Sequence, residues 1–247
     1  MKQTRSLMGM PITVELVDRQ ATTEHIDQVY DYFQYVDETF STYKPTSIIS
    51  RLNRKEIELA DTNGDVQTIF RLAEETKRQT NGYFDIEHNG NIDPSGIVKG
   101  WAIDEAAKLL GGFGLINYFV EAGGDIAAVG KNDHGQLWRF GIRNPFQHAE
   151  IVKVIQLSNA GMATSGTYVR GEHIYNPKTN KPANEIISLT VIGPNVYEAD
   201  RFATGAFAMG QAGIQFIEAL PGFEGYMIDH RGTATMTSGF TRYVVSQ

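Results

Sequence analysis

Residues 91–110 read NIDPSGIVKGWAIDEAAKLL. Past Gly100 the spacing predicts a helix: Ala102, Ile103, Ala106, Ala107, Leu109 and Leu110 fall on one face, and Gly111-Gly112 ends it. The small residues before it (Pro94, Ser95, Gly96, Gly100) read as a loop. Lys99 then stands at a helix N-terminus, where unpaired N–H groups already carry partial positive charge. Two readings of this lysine are open. It hangs in water, at a cost of about a few tenths of a kcal/mol. Alternatively it holds an anion, most naturally a phosphate, together with the loop's backbone N–H groups. Asp93 complicates the second reading, because a carboxylate repels a phosphate unless a metal or base lies between them.

Around this segment the pattern is mixed. Ile12, Val14 and Leu16 alternate with polar neighbours in a strand over residues 8–17. Thr22–Phe40 turns helical, with Ile26, Val29, Tyr30, Phe33, Val36 and Phe40 at spacings of three and four. A short helix is expected around Ile48–Asn53. Another, over about 64–79, carries Val66, Ile69, Phe70 and Ala73 inward and stops at a left-handed Gly82. Strand-like runs follow in YFVEAGGDIAAVG, WRFGIRN and EIVKVIQL, then a Gly/Thr/Ser-rich stretch, AGMATSGTYVRG, and a turn-rich HIYNPKTNKP. SLTVIG reads as a buried strand, 197–209 and 211–219 as helices, and GYMIDH, TATMT and YVVS as a closing antiparallel set. Helices first and then many strands indicate an α+β protein rather than a repeating βαβ one.

Composition excludes several functions. A net charge of −7 without a basic, aromatic-interleaved cluster argues against nucleic acid as the main partner. The chain has no cysteine, so catalysis must use oxygen, nitrogen or a cofactor. Charges interrupt every apolar run well short of the roughly 18 residues a membrane span needs. The opening MKQTRSLMGMPITVEL is basic but lacks an apolar signal core, which gives the expectation of a cytoplasmic protein; removal of an export signal ahead of Met1 is the alternative. There is no Walker loop and no G-x-G-x-x-G fingerprint.

Four short constellations could carry chemistry. In EADRFATGAFAMG, Asp200 and Thr204 share a helical face, where a carboxylate and a hydroxyl could hold a hard cation or simply cap the helix. EAGGDIAAVG puts two glycines and Asp125 at a strand end, read as a tight turn with a solvated aspartate or as a close approach to a ligand. Ser165 in ATSGTY lacks the G-x-S-x-G frame of a hydrolase elbow. His173 in HIYNP is either a structural histidine or a general base.

Taken in order, MGMPITVEL, FSTYKPTSIISRLN, TNGYFDI, IDPSGIVKGWAIDEAAKLL, FVEAGGDIAAVG, MATSGTYVR, HIYNPKTNKP and EADRFATGAFAMG resemble the ApbE-like family of FAD:protein FMN transferases, from about residue 8 to the C-terminus. The Asp-x-x-Gly-x-x-Lys-Gly run and the Asp-x-x-x-Thr helix are the most specific parts. The resemblance implies a single mixed α+β domain over 1–247, of two packed lobes with largely antiparallel sheets and flanking helices. It also implies Mg²⁺-dependent transfer of FMN from FAD to a threonine hydroxyl of an acceptor protein, with release of AMP. FAD contacts would fall on Met8, Tyr43, Tyr83, Phe84, Asp85, Asp93, Lys99 and Ile174. The Gly96 carbonyl, Asp200 and Thr204 would hold Mg²⁺, and His173 would activate the acceptor hydroxyl. On this reading Lys99 faces the FAD pyrophosphate. The sequence departs from the family where its usual Asp-Pro-x-Thr-Gly reads Asn176-Pro177-Lys178-Thr179-Asn180, and where the stretch between FDI and IDPSG is short. Two alternatives share the same site: an FAD pyrophosphatase giving FMN and AMP, and a non-catalytic FAD-binding protein.

Overall fold

The computed structural model describes residues 1–147, 149–167 and 174–245. Its frame is one eight-stranded sheet. The first two strands, β1 (Lys2–Leu7) and β2 (Met10–Leu16), form a hairpin. Four helices follow: α1 (Thr23–Phe40), α2 (Ile48–Asn53), α3 (Gly64–Gln79) and, after the small hairpin β3 (Glu87–His88) and β4 (Asn91–Ile92), α4 (Ser95–Gly112). Next come β5 (Tyr118–Ala122), β6 (Asp125–Val129), the hairpin β7 (Trp138–Arg143) and β8 (Ile151–Leu157), and β9 (Ala160–Gly166). The chain continues through β10 (Tyr175–Asn176), β11 (Lys181–Pro182), β12 (Ile186–Gly193), α5 (Val196–Ala208), α6 (Gly213–Glu218), β13 (Glu224–Asp229) and β14 (Ala234–Met236). The sheet order is β1-β2-β5-β6-β9-β12-β13-β14, and every pairing in it is antiparallel.

Strand alternation sends side chains to two faces of this sheet. On one face, Ile12, Val14 and Leu16 of β2 and Val120 of β5 pack with α1 and α4. Further along the same sheet, Leu189 and Val191 pack with α5 and α6. The expected two lobes are these two helical groups, and they share one continuous sheet. On the opposite face Phe119, Ile126 and Ile192 meet Trp138, Ile142 and Ile155 of the β7–β8 hairpin. All six apolar positions expected inward on α1 are buried. Gly82 takes the left-handed turn expected after α3 (φ +78°), and its N–H reaches the Lys77 carbonyl at 2.7 Å.

Three expectations change. First, α4 begins at Ser95, not after Gly100. Asp93 Oδ1 accepts the Ser95 N–H at 2.9 Å, which satisfies a donor at the helix start. The glycines taken for a loop are helical, and Lys99 lies in the second turn rather than at the end. Second, Lys2–Leu7 forms a strand without a clear apolar alternation, held by its pairing with β2. Third, among the described residues the YVVS segment adds no strand to the sheet: Phe240–Tyr243 is a 3₁₀ turn, and Val244 makes a single bridge to Ile155. Among the described residues no helix is long and apolar enough to cross a membrane.

Candidate active site

The α4–α5 crossing sets the floor of an open cleft. A Cβ on Gly100 would lie 2.5 Å from Asp200 Cβ, and one on Gly96 would lie 3.1 Å from Thr204 Cγ2. Glycine on one helix therefore admits the carboxylate and hydroxyl of the other. Asp200 is 2% exposed, and its Oδ2 accepts the Gly100 N–H at 2.7 Å. Thr204 Oγ1 lies 3.4 Å from the Gly96 carbonyl oxygen, as its donor.

Lys99 reaches the same floor. Its ammonium is 2.6 Å from Asp125 Oδ2 and 3.6 Å from Asp200 Oδ1. The solvated reading of the lysine is overturned: its side chain is only 18% exposed and meets two buried aspartates. The solvated reading of Asp125 is also overturned, because this residue is fully buried. It opens β6 after Gly123 and Gly124, both at positive φ, and its Oδ1 accepts the Thr164 N–H from β9 at 3.0 Å. Burial raises the Asp200 pKa; Lys99 opposes that shift and Asp125 adds to it.

The cleft wall contains Tyr83, Phe84, Asp85, Asp93, Gly96, Lys99, Ile174, Asp200 and Thr204, nine of the residues singled out from sequence. The Tyr83–Asp85 turn is anchored by the Phe84 N–H to Thr80 Oγ1 at 3.1 Å and by Asp85 to Lys77 at 2.7 Å. Met8 and Tyr43 do not line the cleft. Met8 sits in the β1–β2 turn at φ +53°, and Tyr43 is 95% exposed on the loop after α1. His173 lies outside the described residues. Sequence reasoning passed over Arg143, Thr164 and Tyr175, which also line the cleft. Asp125 had a signal, an aspartate placed directly after two glycines at a strand start; Arg143 had none.

The departures at 176–180 preserve local geometry. Asn176 Oδ1 accepts the Lys178 N–H at 2.9 Å, the turn that an aspartate would make. Asn180 adopts φ +54°, a conformation that suits glycine and that asparagine tolerates. The loop lies on the Tyr83 turn through Lys178 Nζ, 4.1 Å from the Tyr83 ring centroid. It meets the β3–β4 hairpin through the His88–Tyr175 ring contact and Asn180 Nδ2 to Asn89 Oδ1 at 3.1 Å.

The donor set suits a hard divalent cation. Two carboxylates against one ammonium leave a negative surplus, and Asp125 Oδ2 accepts no hydrogen bond among the described residues apart from its ion pair. Among those residues no cluster of three or more His, Cys, Asp or Glu exists; the other oxygens at hand beside Asp200 are the Gly96 carbonyl and the Thr204 hydroxyl.

The model of the ApbE family matches residues 8–90 and 87–227. The FAD:protein FMN transferase of Haemophilus influenzae is 38% identical over 131 residues, which are 49% of this chain and 38% of that protein. The FAD:protein FMN transferase of Escherichia coli K12 is 30% identical over 169 residues, 63% of this chain and 48% of that protein. The matched part thus spans less than half the length of these curated relatives. Among solved structures, the flavin transferase ApbE from Vibrio cholerae superposes with a TM-score of 0.85 at 24% identity, over 98% of each chain. The ApbE protein from Thermotoga maritima gives 0.87 at 21% identity, over 100% of this chain and 99% of that one. These likenesses establish the fold.

Proposed function

The chain belongs to the ApbE family, and from that premise we propose that it is a FAD:protein FMN transferase. The reaction cleaves the pyrophosphate P–O bond of FAD, forms a new P–O bond from the FMN phosphorus to a threonine oxygen of an acceptor protein, and releases AMP. The observation that carries this reading is the cleft floor, where Lys99 meets Asp125 and Asp200 beside Gly96 and Thr204.

Lys99 directs its charge into a cleft whose wall also holds Asp85, Asp93, Arg143 and several aromatic and small residues. A pyrophosphate oxygen is its natural partner, and the ammonium stabilises the charge that grows on the departing AMP phosphate. The Gly96 carbonyl, Asp200 and Thr204 would hold Mg²⁺, which when bound neutralises phosphate charge. Tyr83, Phe84, Asp85, Asp93 and Ile174 line the walls available to the flavin nucleotide. Met8 and Tyr43 would contact it only from outside the cleft wall. A threonine hydroxyl is a poor nucleophile at neutral pH and needs a base to take its proton. His173 is proposed as that base, on the family resemblance alone.

The test is incubation with FAD, Mg²⁺ and a threonine-bearing acceptor, following AMP by chromatography and covalent FMN by in-gel fluorescence and mass. Equal AMP and protein-bound FMN are expected. AMP with only free FMN would replace transfer by pyrophosphatase activity, and tightly bound FAD left intact would make the protein a flavin binder.

A further inference from the structure

The two buried carboxylates at the cleft floor are not equivalent. Lys99 Nζ lies 2.6 Å from Asp125 and 3.6 Å from Asp200. Asp125 is sealed from solvent and fixed on both sides: the Thr164 N–H holds its Oδ1 at 3.0 Å, and Glu121 Oε1 accepts the N–H of Gly124 in the preceding turn at 2.7 Å. That sheet contact ties its carboxylate to β9. Asp200, by contrast, stands on α5 one helical turn before Thr204.

We propose that Asp125 is a positioning residue, the nearer of the two carboxylates that share Lys99, which draws the ammonium away from closer contact with Asp200 and so leaves Asp200 open to a divalent cation. The inference rests on the transferase reading above. If the Asp125 charge is removed, a long flexible lysine in a low-dielectric site turns to the carboxylate left beside it. The resulting Lys99–Asp200 pair competes with the cation for the same oxygens. Removing both members of the Lys99–Asp125 pair leaves Asp200 uncontested and conserves the formal charge of the floor. An apolar replacement of a whole buried pair is also often tolerated by the fold.

The experiment measures the Mg²⁺ concentration that half-restores FAD binding at saturating flavin, by quenching of flavin fluorescence. It compares wild type, Asp125→Asn and the double variant Lys99→Met/Asp125→Asn. Asp125→Asn should raise the Mg²⁺ midpoint by roughly 10-fold or more. The double variant should return it to within about twofold of wild type, although its FAD affinity is lower. In a crystal structure of Asp125→Asn, the Lys99 ammonium should lie on Asp200. An unchanged midpoint in the single variant, a double variant still as impaired as the single, or an ammonium still directed at residue 125 would each overturn the proposal. If Asp125→Asn fails to fold while the double variant folds, the pairing stands, and the double variant's midpoint alone decides whether Asp200 is released. A wild type whose FAD binding ignores Mg²⁺ would overturn the metal-dependent reading itself, together with this inference.

Discussion

At the floor of the cleft, Asp125 and Asp200 are 0% and 2% exposed and take their partners from two other elements: Lys99 and Gly100 of α4, and Thr164 of β9. Away from the floor, Tyr43 is 95% exposed on the loop after α1, and at the rim the 174–182 segment meets the β3–β4 hairpin through a ring contact and an amide pair at the surface. The floor is costly to assemble, because charges leave water and must find partners of good geometry. The rim costs little, and each of its contacts is worth little. The charges of the floor are thus fixed by burial, whereas the surface contacts sit where side chains can adapt.

The contrast breaks most clearly at Asp200. Asp200→Ala should lower Mg²⁺-dependent turnover of FAD by at least roughly 100-fold, more than loss of an outer-shell group would. Wild-type turnover across a Mg²⁺ titration would show that the floor does not carry the chemistry. Lys99→Ala comes next: FAD affinity in calorimetry should fall by about 10- to 100-fold, the worth of one charged hydrogen bond. Riboflavin, which has no phosphate, should bind almost as before. Equal losses for both ligands would reduce Lys99 to a packing role.

Gly100→Ala tests the helix crossing rather than the charge. Its new methyl would meet Asp200 at 2.5 Å, so urea unfolding should show a loss of about 1–3 kcal/mol, typical of overpacking. An unchanged midpoint would mean that α4 and α5 separate freely. At the rim the effects should be slight. Tyr43→Ala should leave stability within about 0.5 kcal/mol, as for most exposed positions, and weaken FAD binding only a few-fold. Asn180→Gly should be nearly neutral, whereas Asn180→Ala should cost about 1 kcal/mol for a left-handed residue without asparagine's local hydrogen bonds. Thermal melts that rank alanine above asparagine would refute the turn assignment.

Periodicity served well where one face is buried and the other is wet. The inward stripe of α1 and the alternation of β2 were both legible for that reason. It misplaced the start of α4 because that helix is buried on most sides, with Ile97, Val98, Trp101 and Ala102 all inside. A helix covered all round has no polar stripe to mark its beginning, and Gly96 and Gly100 mimic a loop. β1 was illegible for the opposite reason, since its residues are mostly exposed and its pairing with β2 makes it a strand.

The order of short motifs in the chain was enough to indicate the family and to bring nine of the candidate residues to one cleft. Lys99, Asp200 and Thr204 could be named from sequence because each sits in a motif whose spacing is local. What faces Lys99 could not be read that way. Asp125 lies 26 positions further on, on a different element, and a solvated aspartate and a buried counter-ion have the same one-letter code. Only the packing of α4 between β6 and α5 brings the two carboxylates to one ammonium. Their electrostatics follow from burial, and burial is a property of the assembled fold rather than of any segment.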